Sequence, residues 1–289
     1  MKIRSLFLTL ILVAAGCAET GQDLASFPLY VAGTAQSEPI VALGDVPLTI
    51  DRADLAFGPL YLCAGFTAGD LCDTARLEWL ETVVVDTTLA DPVLAGNMSG
   101  TTGPVGSWMY DLGISSQLTR TDPFVLDAAK ALGDTSLVLE GRAQVDGVEI
   151  PFTASVPIAQ TEDTELGVPV VRKSTSESFF RDVSATQSAL LIRFDFASWV
   201  KGIDFRSYVA EENCTDDGPA IVCDGGVERS CENGVELSNR ECGELGQVCV
   251  PQEGCADQLT IKKDSEAYRT LRNALLIDGR ASFNWDYVP

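Results

Sequence analysis

The chain has 289 residues, of which 42 are Asp or Glu and 20 are Lys or Arg, giving a formal net charge of −22. A surface this acidic repels phosphate groups, which excludes nucleic acid and anionic lipid head groups as partners. The chain contains no histidine, so it cannot form a Ser-His-Asp triad or a Cys-His pair. Apolar residues make up 46% of the sequence, enough for a sizeable buried core.

The N-terminus has the pattern of an export signal. Two basic residues precede an apolar run from Leu6 to Ala15, which is shorter than the roughly 20 residues needed to span a bilayer. The small residues directly before Cys17 resemble a bacterial lipobox, in which the cysteine is acylated, for example with palmitate, and becomes the mature N-terminus. We therefore predict a lipoprotein signal peptide at 1–16, lipidation at Cys17 and a tether at 17–26. The alternative is an ordinary signal peptide and a soluble secreted protein.

The residues that follow Cys17 indicate to which membrane the protein is directed. Ala18 and Glu19 come next, with no Asp directly after the cysteine, and in Gram-negative bacteria this resembles an outer-membrane address. We therefore expect an outer-membrane lipoprotein that meets the membrane only through its N-terminal lipid. The body would face the periplasm or the cell surface.

From residue 27 to residue 210 the sequence is typical of β-strands. Alternating or continuous apolar residues occur over 27–33, 46–63, 77–86, 93–98, 136–158 and 189–196. Within 136–158, Asp146 and Gly147 predict the tight turn of a β-hairpin. The stretches 27–33 and 46–63, the second with Pro47, Gly58 and Pro59 as punctuation, together predict two or three strands.

Two short helices are predicted against this β background. The first follows an acidic N-cap and a proline at 122–123 and stops at Gly133. The second runs from Asp264 to Ile277 and has one apolar face. Neither helix belongs to a series of β-α-β units, which disfavours a doubly wound nucleotide-binding fold.

The cysteines indicate disulfide bonds. Apart from Cys17 there are eight, an even number in an exported chain: Cys63, Cys72, Cys214, Cys223, Cys231, Cys242, Cys249 and Cys255. Cys63 and Cys72 flank a loop and most simply pair with each other, whereas the pairing of the last six stays open. The chain has no C-x-x-C pair, and with no histidine it lacks the patterns of structural zinc, iron–sulfur and thiol-exchange sites.

The last six cysteines lie in an unusually acidic segment, residues 211–257. It carries twelve acidic residues against two basic ones and has few large apolar side chains. Such a segment cannot fold by burying apolar surface alone, so we expect the disulfides to hold it. Calcium at Asp216, Asp217 and Asp224 is an alternative, although the regular ligand spacing of a calcium loop is missing. We expect no other cofactor.

These elements predict a mainly β protein: an antiparallel β-sandwich with two short packing helices and a disulfide-rich acidic insertion. The sandwich domain is assigned to 27–210 and the insert to 211–257. Residues 258–289 supply a helix and a terminal strand that complete the sandwich. The alternative makes the insert a separate small domain with its own helical cap.

Aromatic residues give the one indication of a binding face. Trp79, Trp108 and Trp199 could stack against a sugar or another flat ligand on the sandwich surface, but packing in the core is the interpretation that we favour. No motif marks a catalytic residue. A pair of carboxylates acting as a hydrolase stays an alternative in a chain with 42 acidic residues.

Three stretches, LTIDRADLAFGPLYLC, GSWMYDLGI and FDFASWVKGIDF, together with the acidic cysteine-rich segment, resemble a group of uncharacterised envelope lipoproteins from Gram-negative bacteria. The resemblance covers most of the mature chain and implies an exported β-rich domain. It implies no established activity, so no functional residue is carried over from it.

We therefore expect a lipid-anchored, non-enzymatic envelope or cell-surface protein with a structural or interaction role. Its partner would be a protein or a carbohydrate outside the cell. The alternatives are a carbohydrate or small-ligand binding module that uses exposed tryptophans, and a carboxylate-based hydrolase.

Overall fold

A computed structural model describes residues 22–65, 75–112, 124–158, 172–174, 179–209, 214, 220–224, 226–277 and 281–289. The first strands are β1 (Leu24–Gly33), β2 (Ile40–Ala42), β3 (Val46–Cys63), β4 (Ala75–Trp79), β5 (Val83–Asp86), β6 (Val93–Thr101), β7 (Gly103–Val105), β8 (Ser107–Leu112), β9 (Leu137–Val145), β10 (Val148–Val156), β11 (Arg172–Ser174), β12 (Arg181–Val183) and β13 (Ala189–Phe194). The later strands are β14 (Ala220–Asp224), β15 (Val227–Glu232), β16 (Val235–Glu241), β17 (Val248–Val250), β18 (Gly254–Ala256), β19 (Leu259–Ile261) and β20 (Ser282–Tyr287). The helices are α1 (Asp127–Ala131), α2 (Phe196–Val200) and α3 (Glu266–Ile277). The prediction of a mainly β, sandwich-like fold is confirmed.

One large sheet makes up the body. Among the described residues it has thirteen strands, in the order β19-β10-β9-β3-β4-β6-β1-β13-β20, and β2, β5, β8 and β11 pair off this path. Most neighbours are antiparallel, but β1 with β13 and β10 with β19 are parallel. Each parallel pair joins strands that are far apart in the sequence, because parallel strands need a long crossover connection. Strands β19 and β20 lie at the two ends of the path, so residues after the insert extend the same sheet.

Strand β3 runs through the whole predicted stretch, from Val46 to Cys63. Its first half pairs with β9, from Leu48 to Leu55, and its second half pairs with β4 and β8. Two or three strands were predicted over 27–33 and 46–63 together, and the structure has two there, β1 and β3. Pro59 is accommodated because the pairing with β8 shifts register between Phe57 and Leu60, so the ladder needs no N–H at residue 59. The hairpin of β9 and β10 is as predicted, with Asp146 and Gly147 at positive φ in its turn.

A single apolar core joins the sheet to α2 and α3. At its centre Phe57 packs against Trp79, Tyr110 and Phe194, with ring centroids 5.0 to 5.8 Å apart. Trp199 of α2 is fully buried in the same core. Burying a side chain of this size stabilises the fold by about 1.5–3 kcal/mol.

Both predicted helices are present, and α2 was not predicted. The expected start of the first helix, 122–123, lies outside the described residues, and α1 ends just before Gly133, whose φ is +65°. The apolar stretch 189–196 predicted a strand, and in the structure this strand ends at Phe194 and α2 begins at Phe196. Asp195 caps α2 there, because its carboxylate accepts the Ala197 N–H at 3.2 Å. No helix in the described part of the chain has the length and apolar character needed to cross a membrane.

The insert has two small sheets of its own, β14-β15-β16 and β17-β18. Its six cysteines pair as Cys214–Cys231, Cys223–Cys249 and Cys242–Cys255, which confirms the predicted disulfides and assigns their connectivity. Cys63 is also disulfide-bonded, and Cys72, its predicted partner, lies outside the described residues.

Replacing Gly100 by Ala tests the close packing of β6 on β4. A Cβ at Gly100 would overlap the carbonyl oxygen of Arg76 and lie 2.8 Å from the Cα of Leu77, both backbone atoms that cannot move without breaking the pairing. We expect G100A to lower the free energy of unfolding in urea by about 1–3 kcal/mol. Gly243→Ala, where a Cβ meets nothing within 4 Å, is the control and should change it by less than about 0.5 kcal/mol. Equal losses in both variants would contradict the packing argument.

Candidate functional site

The body carries an apolar pocket with a volume of about 310 Å³. Its walls are aliphatic: the three valines of β5, Leu94 and Ala95 from β6, and Leu126 and Ala128 at the start of α1. Asp86 and Asp91 are the charged side chains of the lining, and none of the described residues in it is aromatic. Pockets that bind small molecules usually measure about 300–1,000 Å³ and have mainly apolar walls. The pocket is therefore the candidate binding site of this protein.

The valines of β5 form the wall because the strand is pinned on both sides. Val83 and Val85 are buried, whereas Val84 is half-buried. Thr82, directly before the strand, is fully buried and donates its hydroxyl to the Gly58 carbonyl at 3.2 Å. Its backbone N–H donates to the carbonyl of Phe124. This hydrogen bond brings the segment that leads into α1 against the strand.

The rim of the pocket is held by hydrogen bonds to backbone carbonyls. The N–H of Gly33, at the end of β1, donates to the Leu89 carbonyl at 2.7 Å. Arg193 donates from one guanidinium nitrogen to the carbonyls of Gly33 and Ala90, at 2.8 and 2.7 Å. A side chain at Gly33 would overlap the Thr87 carbonyl, so only glycine allows this approach. The connection from β5 to β6 is thus fixed before any ligand arrives, which lowers the entropic cost of binding.

The two carboxylates of the pocket differ in their surroundings. Asp86 accepts hydrogen bonds from both the N–H and the hydroxyl of Thr88, at 3.0 and 2.6 Å. Asp91 is exposed and makes no hydrogen bond or ion pair with the described residues. Asp91 is therefore the carboxylate that is available to a ligand.

The mouth of the pocket is unusually apolar for a protein surface. Leu89, Val93, Leu94 and Leu126 are each between 42% and 60% exposed. Single exposed apolar residues are ordinary, but a contiguous group around a pocket marks a site of interaction. The pocket was not predicted from the sequence; its signal was the pair Val93-Leu94, two large apolar residues directly after Asp91-Pro92.

The tryptophans do not form a stacking platform. Trp79, Trp108 and Trp199 are 3%, 6% and 0% exposed, so their faces are not available to a sugar. The stacking hypothesis is wrong for these residues, and the core-packing interpretation describes them. They are buried because the interior of the body has room for large rings packed against one another, as Trp108 packs against Phe179 and Phe283.

The calcium hypothesis gains no support from the insert. Asp216 and Asp217 lie outside the described residues. The carboxylate of Asp224 is paired with the guanidinium of Arg229. A cation at Asp224 would have to displace that guanidinium, so Asp224 does not offer a free ligand.

A second cluster in the insert is structural. One ligand atom each from Glu228, Cys242 and Cys255 lie within 4.8 Å of one another, but the two sulfurs are bonded together and offer no thiolate. Glu228 accepts from the Arg240 guanidinium at 2.6 Å and from the Cys255 N–H at 2.8 Å. The hydrogen bond from Arg240, and next the one from Cys255, lower the pKa of the Glu228 carboxyl. This carboxylate joins β15 and β16 to β18.

No family model matches the chain, and no curated protein matches it. Among solved structures the chain is similar to MbnP from Methylosinus trichosporium, with a TM-score of 0.34 and 10% identity, over 64% of this chain and 79% of that chain. A similarity of this size carries no argument about fold or function.

Glu228 should make the stability of the insert around Cys255 depend on pH. Its folded pKa is below its ordinary value of 4.5, so its contribution to stability is complete above that pH and is lost as the pH falls through the folded pKa. We expect the hydrogen-exchange protection factor of the Cys255 amide to fall about tenfold between neutral and strongly acidic pH. Glu228→Gln should remove most of this dependence, whereas Glu244→Gln, an exposed acid of the same insert, should leave it unchanged. An equal pH dependence in wild type and E228Q would contradict the assignment.

Proposed function

We propose that this protein is an exported, lipid-anchored and non-enzymatic binding protein of the cell envelope, whose β-rich body binds a small aliphatic ligand. The export pattern that ends at Cys17 supports the first part. The three disulfides of the insert support it independently, since such bonds persist in oxidising compartments. An outer-membrane address, with the body in the periplasm or at the surface, is part of this proposal.

The pocket between β5, β6 and α1 is the observation that supports the binding role. Its rim is fixed by hydrogen bonds and its mouth is apolar, as a ready-made site requires. The hydrophobic walls would stabilise an alkyl chain by about 25 cal/mol for each Å² of apolar surface removed from water.

The charge of the lining indicates the polar end of the ligand. Asp86 and Asp91 are both acceptors, and the whole chain is acidic, so a ligand carrying a carboxylate or a phosphate would be repelled. A protonated amine would pair with Asp91, which has no other partner among the described residues. We therefore propose an aliphatic cation as the class of ligand.

Sugar binding and hydrolysis are less well supported at this pocket than binding of an aliphatic cation. A sugar would require flat aromatic faces and several polar partners, and the described lining supplies neither. A carboxylate-based hydrolase would require two carboxyl groups free to act on a substrate, and Asp86 is engaged by Thr88. The hydrolase stays a prediction without a candidate pair in this pocket.

Isothermal titration with n-octylammonium and with octanoate tests the pocket. We expect n-octylammonium to bind at least tenfold more tightly than octanoate, since each tenfold corresponds to about 1.4 kcal/mol. Ala128→Trp, which fills the mouth from α1, should weaken binding at least tenfold, and Asp91→Asn should reduce the preference for the cation. Ala131→Trp, exposed on the same helix and outside the lining, is the matched control and should bind like wild type. Equal binding by wild type and A128W would place the ligand elsewhere.

The anchor is tested by mass spectrometry of the mature protein extracted from membranes of a Gram-negative host. We expect an acylated N-terminal Cys17 and no free thiol among the remaining eight cysteines. Cys17→Ser should abolish acylation and release the protein from the membrane fraction. An unacylated N-terminus at another residue in the wild type would refute the lipoprotein assignment.

A further inference from the structure

The sheet of the insert has one covered edge and one open edge. At β14 the Gln252 N–H donates to the Ile221 carbonyl at 3.1 Å, and the hairpin of β17 and β18 packs beside β14 and β15. At the other edge every residue of β16 is exposed, and no described residue bonds to the outer side of its backbone. Alternate residues of an edge strand point their N–H and C=O groups outward, so β16 presents an unpaired ladder.

The side chains of β16 leave this ladder accessible. The strand has seven residues and no proline, which would remove an N–H from the ladder. The pairing with β15 shifts register next to Ser230, which leaves Leu237 opposite no residue of β15. Leu237 and Val235 are 62% and 59% exposed and offer apolar contacts to a strand laid alongside.

The charge of this edge is uncompensated and negative. The two cations of the insert sheet are already neutralised, Arg229 by Asp224 and Arg240 by Glu228. Glu241 at the end of β16, Glu232 at the end of β15 and Glu244 just after β16 have no hydrogen bond or ion pair with described residues. A strand that pairs with β16 would have to bring positive charge.

We propose that β16 is a docking edge to which an extended, basic segment of another protein adds as the fourth strand of the sheet β14-β15-β16. Backbone hydrogen bonds to the open ladder supply the binding, and lysine or arginine side chains pair with the three free glutamates. This surface lies on the insert and is independent of the ligand proposed for the body. A second copy of the chain is a poorer occupant, because it would set the same glutamates against one another.

Peptide binding tests this proposal, with the purified, oxidised mature protein and a fluorescein-labelled nine-residue peptide that alternates lysine with valine and threonine. We expect saturable binding by fluorescence anisotropy that weakens at least tenfold between about 50 mM and about 500 mM NaCl. The same peptide N-methylated at alternate residues keeps its charge and loses its edge of N–H donors, so it should bind at least tenfold more weakly. A peptide with glutamate in place of lysine should not bind.

Two protein variants with the same change of charge separate strand addition from general attraction. Glu241→Lys, at the end of β16, should weaken the binding of the lysine peptide at least fivefold. Glu38→Lys, an exposed acid of the body without a partner among the described residues, should leave binding unchanged. Equal binding of the N-methylated peptide, or equal loss in both variants, would reduce the effect to nonspecific attraction and overturn strand addition. Absence of peptide binding together with a dimer in sedimentation that Leu237→Lys abolishes would make the occupant a second copy and overturn the proposal as well.

Discussion

Hydrogen bonding along β3 is the constraint on which the rest of the body depends. Five strands, β2, β4, β5, β8 and β9, take their register from this one backbone. Phe57, near the middle of β3, packs against rings from β4, β8 and β13 and so fixes these strands relative to β3. The pocket depends on the same strand, because β5 is paired to β3 and Thr82 is bonded to Gly58. A site built on such a frame does not need to be assembled by its ligand.

The body and the insert are stabilised by different physical means. The body buries a continuous set of aliphatic and aromatic side chains, which Val248 and Val250 of the insert join. The separate buried cluster of the insert consists of half-cystines: Cys223, Cys242 and Cys249, with Cys255 packed against them. Each disulfide contributes about 2–4 kcal/mol, chiefly by restricting the unfolded chain. The insert can therefore carry an acidic surface although it has little apolar core of its own.

The parts of the fold that depend on local pattern were predictable, whereas the candidate site was not. Asp146-Gly147 requires a tight turn, and the alternating residues on either side predicted β9 and β10. The even number of cysteines predicted disulfides but not their connectivity, and the parallel pairing of β1 with β13 depends on long-range contacts that periodicity does not record. Helix α2 was missed because Phe196–Val200 is as apolar as a strand. At the pocket, Val85 is buried and Val93 is 60% exposed, a difference that arises only once α1 and the β5–β6 connection are placed.

The positions of β19 and β20 at the two ends of the sheet determine when the body can finish folding. At one end of the sheet the last strand is β20, which pairs with β13. At the other end it is β19, which follows the insert in the sequence and pairs with β10. A chain made from its N-terminus presents β10 and β13 about 100 residues before these partners are available. The body therefore completes its sheet late, and until then the unpaired edges of β10 and β13 are open to pairing with other chains.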